Sequence, residues 1–184
     1  MLPFPSQRME AALRHLQQLI GTEEETQDSD GFAHVIFLAE WLESDISLLS
    51  QDAWVRSNFY LTDLDMFNMA SGHYGTVALI DRRLAVQSCF RVHESKTRMG
   101  RDGLFVDVML ESKRIRLCTT HAESLAPQPA FRPLQLELCA RHMHGPLVNA
   151  SILAGDLNAI EFADENIHVQ NGLKDVSTRH SFYF

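Results

Sequence analysis

Asp156 and Asn158, in the stretch SILAGDLNA at residues 151–159, are a carboxylate and an amide two positions apart after a short apolar run. Strand side chains alternate faces, so a pair at this spacing points one way if the strand reaches it. Such oxygen donors suit a hard divalent ion, magnesium or manganese, and a phosphate, because Asn both accepts and donates hydrogen bonds. Gly155, directly before, marks a backbone that turns or comes close to something. A plain turn with Asp and Asn in their usual turn roles fits the same four residues, so partners elsewhere must decide.

Two further apolar runs end in a residue of the same kind. Residues 33–39, AHVIFLA, are followed by Glu40, and a carboxylate placed there costs free energy unless it is paired, solvated or bound to a cation. Residues 114–120 run into His121 in TTHAES, where an imidazole can polarise a phosphoryl oxygen or donate to charge developing on it. The chain has nine histidines, so a structural role for His121 is the competing reading. In 91–101, RVHESKTRMGR, the cations Arg91, Lys96, Arg98 and Arg101 gather in an otherwise acidic chain, with Arg82 and Arg83 nearby in sequence. They steer a nucleic-acid backbone, or form a solvated loop with ion pairs to Glu94 and Asp102.

The elements that must carry these residues follow from periodicity. Met9, Leu13, Leu16 and Ile20 recur at helical spacing after a Ser6 cap, and Gly21 stops the run. Residues 22–31 are an acidic connector, and 151–154 read as a buried strand. A helix is predicted over 44–58, capped by Ser44, with Ile46, Leu49 and Val55 inward; 60–69 is a connection holding a short strand. Strands follow at 76–80, 84–92, 104–110 and 114–120, with a hairpin connection at 111–113. Residues 131–144 form a helix with Pro133 in its first turn and Leu134, Leu138 and Met143 inward, ended by Gly145 and Pro146. Several consecutive strands argue for antiparallel sheets.

The 184 residues suit one domain, 1–184, and 45% apolar with 22% charged residues is a globular composition. A net charge of −8 excludes a wholly basic nucleic-acid binder, so a polyanion needs a local patch or a metal. Cys89, Cys118 and Cys139 are odd in number and lack metal-ligand spacing; they read as reduced core residues of a nuclear or cytoplasmic protein. No run approaches a membrane span, and the N-terminus has no signal-peptide core, so no membrane partner is expected.

The succession VIFLAE, YGTVALIDRR, LFVDVML, IRLCTTHAES, FRPLQLELCARHM, ILAGDLNA and NGLKD resembles the endonuclease/exonuclease/phosphatase superfamily. HAES and GDLN look most like the branch containing 5′-tyrosyl-DNA phosphodiesterase. The resemblance implies a four-layered α/β sandwich, an α+β fold in which two mostly antiparallel sheets pack face to face between helices. It also implies a hydrolase that uses Mg2+ or Mn2+ to cleave phosphodiesters, at DNA ends in the setting of DNA repair, with DNA as partner. By the same resemblance Glu40 matches the metal-binding glutamate and His121 the histidine that stabilises the phosphoryl transition state. Asp156 matches the carboxylate that orients or activates water, and Asn158 the amide that contacts phosphate. Arg98 and Arg101 are the expected substrate-binding cations.

Departures from the pattern are visible too. Ala39 stands where the family has glutamine, and Ala122 where it has leucine. Members begin with a strand bearing an asparagine and finish with one ending in Asp-His, and neither is present. Arg179 to Phe182 look like an earlier strand of the family, and His180 is not promoted to replace the missing histidine. The expectation is a truncated copy of low stability and weak activity. Hydrolysis of RNA, a phosphoinositide or a phospholipid, and a non-catalytic remnant, are the alternatives.

Overall fold

In the computed structural model, which describes residues 5–24, 32–126 and 130–176, the order is α1 (Pro5–Glu24), β1 (Val35–Trp41), α2 (Glu43–Gln51), α3 (Ala53–Asn58), β2 (Phe59–Leu61), β3 (Gly75–Asp81), β4 (Ala85–His93), β5 (Asp102–Leu110), β6 (Lys113–His121), α4 (Arg132–Met143), β7 (Ala150–Asp156) and α5 (Ile167–Gln170). One sheet has the order β1-β3-β2, all antiparallel; the other is β4-β5-β6-β7, antiparallel except for the parallel pair β6 and β7.

Three apolar clusters fill the three gaps between four layers, which is the sandwich the resemblance implies. Leu13, Ile46, Leu49 and Val55 from the helices meet Val77 and Leu79 of β3. Their chain neighbours Ala78 and Ile80 face the other way, onto Leu104, Val106, Val108 and Leu117 of the second sheet. Phe105 and Cys118, alternating with these, meet Cys139 and Met143 of α4. Period-two alternation thus assigns each strand residue to a layer. No helix among the described residues is long and apolar enough to cross a membrane.

Several boundaries differ from expectation. The first helix runs through Gly21 to Glu24, since one glycine costs only about 1 kcal/mol against alanine. The acidic connector lies outside the described residues from 25 to 31, as do Arg179 to Phe182. The single helix over 44–58 is two: α2 starts at Glu43, where the Asp45 side chain accepts from Leu42 N–H at 3.1 Å, not at a Ser44 cap. The break is at Asp52, whose carboxylate accepts from Val55 N–H at 3.0 Å and caps α3. The inner face of α4 is Arg132, Gln135, Leu136, Cys139, Ala140 and Met143, while Leu134 is exposed. Strand β7 is half exposed, not buried, because it is the outer strand of its sheet among the described residues. Cys118 and Cys139 are buried free thiols, but Cys89 is exposed on β4.

Candidate active site

Glu40 lies within β1, not after it, and a bulge puts it there. The pairing with β3 shifts between Leu38 and Trp41, and Glu40 has φ 60°. Ile36 and Leu38 face the helix-side core; unbroken alternation would send Glu40 there next. The extra residue lets Trp41 take that place, 7% exposed, and leaves Glu40 exposed at the sheet end. Left-handed backbone at a residue other than glycine costs on the order of 1–3 kcal/mol and gathers at functional sites. No hydrogen bond or ion pair engages the Glu40 carboxylate among the described residues.

His121 and Asp156 are register partners at the ends of β6 and β7. Parallel pairing brings the two C-terminal ends together, with His121 Nε2 3.7 Å from Asp156 Oδ2. The approach depends on Gly155: a Cβ there would fall on Thr120 O, so no side chain fits. Asn158 is beyond the strand, with φ 46°, so strand alternation does not aim it. Its N–H donates to Asp156 Oδ1 at 3.1 Å and its Nδ2 to Ala122 O at 3.1 Å. The turn reading therefore describes these residues, and the turn holds Asp156 beside His121.

Strand β1 packs across the sandwich against β6 and β7, and Glu40 arrives at the same rim as His121. The electrostatics of His121 register it. Burial and then Arg101 hold its pKa below the ordinary imidazole value, while Asp156 and Glu40 pull the other way. Arg101 is thus near enough for its charge to bear on His121. It is 5% exposed, its guanidinium is 5.4 Å from the Tyr74 ring centre, and Nη2 reaches Met99 Sδ at 3.3 Å. No carboxylate pairs with it among the described residues. Its Nε and the His121 Nδ1 are both buried without a hydrogen-bond partner among the described residues. Buried polar atoms are nearly always satisfied, so these two nitrogens stand out, together with Glu94 Oε1 and Asp164 Oδ1, as buried side-chain atoms without a partner among the described residues.

The remaining cations are elsewhere. Arg91 is buried between Asp63, at 2.7 Å, and Asp102, at 2.8 Å, which removes it from any surface patch. Arg82 and Arg83 lie beyond Asp81, at the opposite end of the first sheet from Glu40. Arg98 is exposed, with its guanidinium 5.7 Å from the Phe131 ring centre at the start of α4. Behind the rim lie the buried polar groups Glu123, Arg132 and Gln135; the sequence reading of Glu123 is a structural one, and it passes over Arg132 and Gln135 because they form the polar inner side of a helix judged by its leucines.

Among the described residues no group of three or more His, Cys, Asp and Glu side chains is placed to enclose a metal. Magnesium does not need one: it keeps several waters and binds through one or two carboxylates plus substrate phosphate. The unengaged, outward Glu40 carboxylate fits that minimal donor set.

No family model matches the sequence, and no curated protein matches it. Solved structures do. TDP2 from D. rerio, complexed with single-strand DNA product, superposes with TM-score 0.68 at 18% identity over 95% of this chain and 62% of that one. TDP2 from C. elegans gives TM-score 0.62 at 19% identity, over 86% and 44%. ANGEL2, a 2′,3′-cyclic phosphatase, gives 0.67 at 14%, over 92% and 48%. The chain thus spans between about half and two thirds of the length of these structures, and with two mostly antiparallel sheets between helices it has the endonuclease/exonuclease/phosphatase fold.

Proposed function

We propose that this chain carries the site of a metal-dependent hydrolase of phosphodiester bonds, acting on DNA ends in the nucleus or cytoplasm. The observation that carries the reading is the approach of His121 Nε2 to Asp156 Oδ2 at 3.7 Å at a rim where the charges of Arg101 and Glu40 also bear on His121. The fold shared with TDP2, one structure of which holds a single-strand DNA product, supports nucleic acid as substrate.

The roles follow from hydrogen-bonding capacity. Asp156 is exposed, and its carboxylate accepts a proton from water aligned for attack at phosphorus. His121, neutral near pH 7 because its pKa is lowered, donates to a non-bridging oxygen without adding charge that Asp156 would hold. Arg101 supplies positive charge from a buried position, where screening is weak. Asn158 fixes the turn that holds Asp156, through its N–H to Asp156 Oδ1 and its Nδ2 to Ala122 O. In the displacement the bond from water oxygen to phosphorus forms, the bond to the leaving oxygen breaks, and solvent protonates the departing oxyanion. Glu40 would hold magnesium or manganese, which when bound neutralises charge on the phosphate and leaving group.

The test is hydrolysis by the purified chain of a 5′-phosphotyrosyl oligonucleotide, a 2′,3′-cyclic nucleotide and bis-p-nitrophenyl phosphate. Turnover with Mg2+ that stops on chelation, and falls about a hundredfold or more in Asp156→Asn and His121→Gln, is the expected result. Turnover that Asp156→Asn leaves intact, or none on any substrate by a folded chain, contradicts the reading.

A further inference from the structure

We propose that Glu123 is a positioning residue that sets Arg101 against His121, without itself touching substrate. The inference rests on the phosphodiester reading of the rim. Glu123 is 1% exposed and two residues past His121. Its Oε2 accepts from Thr97 Oγ1 at 2.7 Å and its Oε1 from Arg98 N–H at 2.9 Å. Thr97 Oγ1 in turn accepts from the N–H groups of Met99 and Arg101, both at 3.1 Å. Glu123 N–H donates to Gln135 Oε1 at 2.8 Å, and Gln135 Nε2 donates to Lys96 O at 2.9 Å.

These bonds close a circuit between the loop that carries Arg101 and the turn that follows His121, with α4 behind both. Arg132 fastens the turn from the other side, donating to Glu123 O at 3.1 Å and to Leu125 O. Across the loop, Gly100 has φ 65°, and a Cβ there would lie 2.5 Å from Ser71 Cα. The backbone from 96 to 101 is therefore held on two sides. Among the described residues Arg101 has no carboxylate of its own to place it, so the loop does. A buried carboxylate costs more than an apolar contact of the same size unless its oxygens are satisfied. What it adds is direction: both oxygens dictate where the Thr97 hydroxyl and the Arg98 N–H must be. One three-residue segment, 121–123, offers its histidine to the rim and its glutamate to the loop opposite.

The experiment uses the full 15N-labelled chain, without metal, titrated with inorganic phosphate while the Arg101 Nε–H and His121 ring signals are followed by NMR. Phosphate should shift both in the wild type. Glu123→Gln turns an amide NH2 toward the Thr97 hydroxyl, and Thr97→Val removes that hydroxyl at near-constant volume. Each should weaken phosphate binding about tenfold while the chain still melts cooperatively above the assay temperature. The double variant should be no weaker than either single one, and Thr97→Ser should restore binding. Wild-type affinity in Glu123→Gln and Thr97→Val, or additive losses in the double variant, would overturn the positioning role. A wild-type chain whose Arg101 signal ignores phosphate would instead remove the anion site, and with it the reading on which the inference stands.

Discussion

A guanidinium buried beside a histidine, with no carboxylate paired to it among the described residues, does two things at Arg101. In the proposed site it would offer an anion a weakly screened charge, and it disfavours a proton on His121. Arg101→Met should remove both effects. The His121 pKa, read by NMR titration of its ring, should move up toward the ordinary imidazole value, because burial remains but the cation does not. An unchanged midpoint would mean that the two side chains do not share a site. The linked stability follows the same sign. With the folded-state pKa lowered, the unfolded chain takes up the proton first as pH falls below about 6.5, so His121 subtracts stability on the acid side. Arg101→Met should shrink that acid-side loss. The type of residue was legible in the sequence here, since His121 and Arg101 both stood out; the burial that gives them their force was not, because it comes from the loop and helix packed around them.

At the scale of elements, the parallel pairing of β6 with β7 is what brings a histidine and an aspartate within 3.7 Å from positions 35 residues apart in numbering. Gly155 permits it, and the sequence marked that glycine as a close approach. Gly155→Ala should cost about 1–3 kcal/mol in denaturant unfolding, the usual range for forcing atoms into a packed contact, and should lower turnover further by spreading His121 from Asp156. A variant with wild-type midpoint and rate would show that the strands tolerate separation and that the contact sets nothing. Strands β3, β5 and β6 were readable because their apolar residues fill layers on alternating sides. The bulge at Glu40 was not, since it depends on which of Glu40 and Trp41 wins the core position. Nor was the inner face of α4, where Arg132 and Gln135 are buried for their hydrogen bonds and not for their apolar surface. The Asp52 cap was readable in principle, an aspartate three residues before a bonded N–H, but one continuous helical period outweighed it.

For the whole molecule, a charge of −8 says only that any anion binding must be local, and the place proposed for it is one buried arginine at a rim fed from both sheets. The four-layered arrangement was legible through the resemblance of its strand endings; the meeting of those endings depends on how the sheets stack, which no spacing in the chain encodes. Among the described residues β1 and β7 are outer strands of their sheets, and they pack against each other across the sandwich. Glu40 therefore reaches the rim from one sheet and His121 and Asp156 from the other, and the proposed chemistry stands on that convergence. The most direct measurement is paramagnetic broadening by Mn2+ of the backbone amide signals of the 15N-labelled chain. Broadening centred together on Glu40, His121 and Asp156, and abolished by Glu40→Gln, is the predicted result. Broadening that reaches Glu40 but spares His121 and Asp156, or that survives Glu40→Gln unchanged, would contradict the account.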